Sequence, residues 1–165
     1  MNQAQREKFA RSVVDQAYAF RAEGDVLPTW FLYGDQMQIV GTPFDASVPD
    51  AKDQVARIVA EYVHQLQASF VIFVCDVWTR VVSSEEVEDR DWRDLTPPSE
   101  MPDAVEAIVA QCWDGFGNGF TLMRRYRQRD DGSLETLGND KLSPGAGETE
   151  TFAAVLEALL DVQSA

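Results

Sequence analysis

Residues 68–82 read ASFVIFVCDVWTRVV, and the placement of this run decides the fold. Through Cys75 it is apolar at odd and even positions alike, the pattern of a strand covered on both faces, whereas a strand with one wet face alternates. From Asp76 onward it is mixed, and Asp76, Trp78 and Arg80 share one face by the two-residue period. The run is therefore expected in the middle of a sheet, with its far end emerging from the interior.

Immediately downstream, residues 83–103 carry Glu85, Glu86, Glu88, Asp89, Asp91, Asp94, Glu100 and Asp103 against only Arg90 and Arg93, a net of −6, together with one tryptophan, Trp92. Eight carboxylates cannot be buried without partners, so this segment is expected as an acidic loop outside the core. A connection of that length inside a compact domain usually binds something or is disordered. Beyond it, residues 104–113 and 119–129 read as two strands joined by Asp114-Gly-Phe-Gly-Asn-Gly119. The glycine run contains GxGxG, but a phosphate cradle needs a helix N-terminus behind it, and here a strand follows. A hairpin turn is the reading. Asp131-Gly132 then turns into a short strand, 133–137, and a Gly/Pro/Ser-rich linker, 138–147, leads to a last helix over 149–162 with Phe152, Val155, Leu156, Leu159 and Leu160 on one face.

Upstream, Asn2 is placed to cap a helix whose stripe is Phe9, Val13, Ala17 and Phe20 with Ala10 and Val14 beside it, ending at Gly24. Residues 29–42 flank Gly34-Asp35, a pair suited to a type II′ hairpin turn. If Tyr33 opposes Gln36, then Trp30, Leu32, Met37 and Ile39 face the core. Ser47-Val48-Pro49-Asp50 reads as a helix start, continued by Val55, Ile58, Val59, Tyr62, Val63 and Leu66. If Val82 and Ala104 begin an antiparallel pair, Cys75 lies beside Gln111 or Cys112, and the two thiols are neighbours.

The whole is expected as one α+β domain over residues 1–165, a single antiparallel sheet of about five to six strands with helices packed on it, in the order α-β-β-α-β-β-β-(β)-α. That element order is similar to the roadblock/longin and profilin-like layouts, in which helices cover a five-stranded antiparallel sheet. The similarity implies the layout, allows self-association and implies no activity.

At 165 residues the chain is long enough to bury a core without staples. Its 28 acidic groups against 14 basic ones give −14, a field that repels phosphate backbones and anionic membranes. No direct nucleic-acid or membrane partner is expected. The ordinary reading of such a surface is solubility; the sharper one is a surface that mimics a nucleic acid and occupies a basic protein. Lysine is confined to Lys8, Lys52 and Lys141 among many Ala, Val, Asp and Arg, which suggests a GC-rich bacterial or phage genome. Cys75 and Cys112 sit in apolar runs, away from metal-ligand spacing. Residues 1–23 lack an apolar leader core and no run approaches the roughly 18 apolar residues of a membrane span, so a cytoplasmic protein with reduced thiols is expected.

Few residues point to chemistry. Asp76 emerges from a buried strand, where its pKa would rise toward that of a base, or it accepts hydrogen bonds or pairs with an arginine. Arg125, Arg127 and Arg129 share one face of the fifth strand, with Arg124 on the other. Together they fit an anionic ligand, or else pair with Glu106 and the acidic loop. The sole histidine, His64, is expected in solvent, and without a second histidine no histidine-based metal site forms. Residues 85–94 would supply an all-carboxylate Mg²⁺ or Ca²⁺ site but lack the spacing of an EF-hand loop; no metal or cofactor is assigned. Trp92 either marks a contact surface or anchors the loop.

The run Val74-Cys-Asp-Val-Trp78, a proline-containing gap, and Asp103-Ala-Val-Glu-Ala-Ile-Val109 resembles a pattern in small uncharacterised bacterial and phage proteins. There, an acidic residue and a tryptophan end one strand and an apolar strand follows; this chain has Asp76 where that pattern has glutamate. The resemblance covers only this part of the chain and implies a bacterial or mobile-element origin, without an activity. The expectation from the residues is a non-catalytic macromolecule-binding or accessory module. Its contact is the acidic loop, with Trp92, Glu88, Asp91, Asp76, Trp78, Arg125 and Arg127 as binding residues and a basic protein or a second copy as partner. The alternatives are a small hydrolase-like or metal-assisted enzyme built on Asp76 and the strand arginines, and a self-associating adaptor.

Overall fold

The computed structural model describes residues 1–42, 50–79, 100, 102–142 and 152–164. Asn2 opens helix α1 (Gln3–Arg21) with a reciprocal cap: its side chain accepts from the Gln5 N–H at 2.9 Å, and the Gln5 side chain accepts from the Asn2 N–H at 2.8 Å. The chain continues through β1 (Thr29–Tyr33), β2 (Met37–Gly41), α2 (Ala51–Leu66), β3 (Phe70–Thr79), β4 (Val105–Asp114), β5 (Gly119–Gln128), β6 (Leu134–Leu142) and α3 (Ala153–Ser164). The six strands form one antiparallel sheet in the order β2-β1-β3-β4-β5-β6, an α+β fold.

β3 lies between β1 and β4, and its residues Phe70–Val74 are buried on both faces. The change at Cys75 has a topological cause. β1 pairs only as far as Thr29↔Val74, whereas β4 pairs along the whole of β3. The apolar run thus stops where one of its two neighbours stops. Even-numbered β3 residues (Phe70, Ile72, Val74) face α1, joined by Ile108, Ala110, Cys112, Phe120 and Leu122. Odd-numbered ones (Val71, Phe73) face α2 and α3 with Trp30, Leu32 and Trp113.

Several sequence expectations are corrected. The β1–β2 turn holds Gly34, Asp35 and Gln36, so Tyr33 opposes Met37 rather than Gln36. One extra residue moves every β2 side chain to the other face: Met37 and Ile39 are exposed, and Val40 packs toward Trp30 instead. Gly34 serves a close approach, since a Cβ there would stand 2.3 Å from the Leu66 carbonyl oxygen at the end of α2. The β3–β4 register sets Cys75 against Val109 and Cys112 against Ile72. The thiols occupy opposite faces and are not neighbours, because the pairing starts at Thr79↔Val105.

β6 runs on to Leu142, through residues read as linker. A bulge opposite Arg125 and Tyr126 absorbs Leu137 and Gly138, and the strand resumes with Asn139 and Lys141 facing α1. The helix stripes are also narrower than predicted. Phe20, Ile58, Tyr62 and Leu160 are exposed, while the small residues Ala10, Ala17, Ala56 and Ala158 are buried. Of the predicted start of α2, only Asp50 lies within the described residues; it occupies the cap position at φ 62° without a side-chain cap bond.

Candidate functional site

Of the predicted binding residues, Asp76 lies in a polar cluster where α1 ends over the sheet. Arg21 reaches this point because it continues the helix stripe of Ala10, Val14 and Ala17 at spacings of four and three. Its Nε–H points between Tyr126 Oη and Asp76 Oδ2, 2.8 Å from each, and its terminal nitrogen is 3.0 Å from Glu106 Oε1. Tyr126 Oη donates toward Asp76, 2.8 Å from both carboxylate oxygens. Strand register brings them together, since Glu106 pairs with Tyr126 and with Trp78, and Asp76 with Ile108. The Tyr18 ring stands edge-on to Tyr126 at 5.8 Å, and Thr136 Oγ1 bonds the Tyr18 hydroxyl.

Burial raises the Asp76 carboxyl above its usual range, although the Tyr126 hydrogen bond and Arg21 pull it down. Burial, and then the neighbouring Asp76 carboxylate, push the Tyr126 hydroxyl up, so it remains a proton donor. The hydrogen bond to Glu106 reinforces the charged form of Arg21. The cluster is therefore a connected network in which Arg21 Nε, one Arg21 terminal nitrogen and the Tyr126 hydroxyl each meet an acceptor. Trp78, 50 % exposed, stands on the same face across from Glu106.

The fifth-strand arginines are elsewhere. Arg125 faces the α2/α3 side and bonds Asp140 of β6 at 2.9 Å, and Arg127 is exposed and lies across from Glu135. Glu106, predicted to pair with them, points to the α1 side by parity. Asp76 and the pair Arg125/Arg127 thus occupy opposite faces and share no cleft. Trp92, Glu88 and Asp91, like the rest of residues 83–99, lie outside the described residues. His64 is exposed in the last turn of α2. Among the described residues no three His, Cys, Asp or Glu side chains are grouped to hold a metal ion.

The hairpin between β4 and β5 forms as predicted from its glycines. Asp114 Oδ1 accepts the N–H groups of Phe116 and Asn118 at 2.9 Å each, and Gly117 takes φ +77°. Arg6, one turn before Ala10 on the α1 stripe, pairs with Asp114. Burial would raise this carboxyl, but the Asn118 and Phe116 hydrogen bonds and Arg6 outweigh it and hold it below the usual range. Burial pushes the Cys75 thiol up to about 12, with Asp76 adding to the effect, and raises Cys112 likewise; neither is an activated nucleophile.

Sequence reasoning missed Arg6, Arg21 and Tyr126. The arginines were legible as the two ends of the α1 apolar stripe. Tyr126 was legible by parity with Phe120 and Leu122.

No described helix is long and apolar enough to cross a membrane. Comparison of the chain with family models, with curated proteins and with solved structures gave no match in any of the three.

Proposed function

We propose that the protein is a non-catalytic binding module that engages a basic partner, with the acidic segment 83–103 and its Trp92 as a contact. The observation that carries the non-catalytic part is the engagement of Asp76 by Tyr126 and Arg21 within its cluster. The best-placed candidate base in the chain shares the one Tyr126 hydroxyl proton between its two oxygens and also meets Arg21, so two donors already engage the carboxylate that a substrate proton would have to reach. The net charge of −14 supports a basic partner. Half-exposed Trp78, on the α1 side five residues before the segment begins, supplies an aromatic anchor next to it.

The competing reading is an enzyme using Asp76, and one observation favours it: burial raises that carboxyl toward a working range. The separation of Asp76 from the strand arginines counts against it.

The test is affinity capture from a lysate of the native host, with the full chain and with the variant Glu88→Gln/Asp91→Asn/Trp92→Ala. A partner retained by the first and lost from the second supports the reading; equal recovery ends the role of the segment. A partner whose chemical turnover requires Asp76, shown by its loss in Asp76→Asn, would favour the enzyme.

A further inference from the structure

α1 lies across β3, β4 and β5 and touches the β1–β2 hairpin at Phe31, edge-on to Phe9 at 6.3 Å, while Ile39 of β2 on the same side stays exposed. Between the last turn of α1 and that hairpin is a cavity of about 510 Å³, within the roughly 300–1,000 Å³ of concave binding sites. Phe20, Leu27 and Ile39 stand at its mouth, 66 %, 58 % and 51 % exposed, over a floor of Val13, Phe31 and Val74. Exposed apolar side chains are ordinary when scattered. Three converging on one concavity mark a surface that gains by being covered.

Charge and backbone together specify what covers it. The groove is lined by Glu23 and Asp25, both exposed, and by no lysine or arginine among the described residues. Arg21, two residues before Glu23, is turned instead toward Asp76 and Glu106. On a chain of net charge −14 this arrangement attracts a cationic segment and opposes a second copy. The backbone adds a direction. β2 is the margin of the sheet, four of its five residues are exposed, and no described strand pairs with its outer edge. Such an edge accepts an extended segment by main-chain hydrogen bonds, while an adjoining pocket reads every second side chain. Ile39 belongs to both the edge and the groove.

We propose that the groove and the β2 edge together bind an extended peptide segment of a partner protein, apolar at alternate positions and bearing lysine or arginine between them. The proposal rests on the binding-module reading above, but not on residues 83–103 being the contact.

The test uses the full chain and a fluorescein-labelled peptide of alternating leucine and lysine, followed by anisotropy at about 0.15 M salt. An all-lysine peptide of equal charge serves as the comparison. The leucine–lysine peptide is expected to bind saturably, and the all-lysine peptide at least about tenfold more weakly. Ile39→Asp and Leu27→Asp, each at an exposed position and checked for fold by circular dichroism, are expected to weaken the leucine–lysine peptide about tenfold, the scale of a lost anchor. Glu23→Gln with Asp25→Asn is expected to weaken it about threefold and flatten its salt dependence. Leu160→Asp on α3 is expected to leave it unchanged.

Equal binding of the two peptides, or unchanged affinity in both groove variants, would overturn the proposal. Loss in the Trp92 variant with the groove variants unaffected would overturn the groove and uphold the acidic segment, so the two readings fail separately. A dimer in sedimentation that Ile39→Asp dissociates would overturn the peptide in favour of a second copy.

Discussion

The two faces of the sheet hold their helices by different chemistry. On the α2/α3 side the contact is dry. Trp30, Phe73, Trp113 and Phe152 form an aromatic cluster, with Trp30 and Phe73 at 4.7 Å and Trp113 and Phe152 at 5.4 Å between ring centroids, beside Val59, Val63, Val155 and Leu159. Among the described residues no ion pair ties α2 or α3 to the sheet, and the buried indole N–H groups of Trp30 and Trp113 find no acceptor. On the other side α1 buries small residues and is fastened by charge at both ends: Arg6 to Asp114, and Arg21 to Asp76 and Glu106, with Glu7–Lys141 and Asp15–Arg124 pairs between them. Apolar burial is non-directional and supplies most of the stability. Partly buried ion pairs lose in desolvation much of what they gain and act only in one geometry. Both faces thus draw stability from a buried apolar cluster, and on the α1 side the ion pairs in addition fix where the helix lies.

The largest effect that would sharpen this contrast is on the dry face. Trp30→Ala is expected to lose about 3–5 kcal/mol in urea unfolding, the cost of a large buried aromatic. A loss below that of any α1 ion-pair variant would break the comparison.

On the charged face, Arg21→Met is expected to cost about 1–3 kcal/mol, because Asp76, Glu106 and the Tyr126 hydroxyl lose a common donor. Adding Asp76→Asn to it should cost less than the sum of the two single changes, and a double-mutant cycle measures the difference. Strict additivity would mean that the cluster does not act as a unit. Smaller still, Asn2→Ala is expected to cost about 1 kcal/mol by removing the cap of α1, read from the same unfolding curves.

The subtlest test is pH, because the acids at the two ends of α1 have opposite signs. Asp114 is held below its usual range, so its contribution is full above the ordinary carboxylate pKa and is lost as pH falls through its lowered one. Asp76 is raised, so the folded state binds its proton more readily, and stability falls as pH rises from the ordinary value through the raised one. Asp114→Asn should therefore flatten the loss of stability on acidification, and Asp76→Asn should remove a decline on the way to neutrality. Unfolding midpoints across pH 3–8 check both, and the same sign of change in the two variants would contradict the assignment.

Much of the fold was legible because its signals are local. The doubly apolar stretch through Cys75 marked an interior strand, the glycines of residues 114–119 marked a hairpin turn, and Asn2 marked a helix start. The misreadings share a different cause. Met37 and Ile39 were assigned to the core from a two-residue turn, but the approach of Leu66 to Gly34 accompanies a three-residue one. Gly138 looked like the start of a linker, whereas opposite Arg125 it is part of a bulge within a longer strand. The candidate site was less legible still: Asp76 stood out, but its partners come from α1, β4 and β5, and nothing local to any of them announces the others.

By itself, the amino-acid order determined which segments become helix and strand, that one strand would be covered twice, and that the surface would be strongly acidic, because periodicity and charge are properties of neighbours along the chain. Register, the opposite facing of Cys75 and Cys112, the meeting of Arg21 with Asp76, and the groove beside β2 were decided only in three dimensions. Each depends on how far one element extends past another, a distance set by packing between segments remote in sequence.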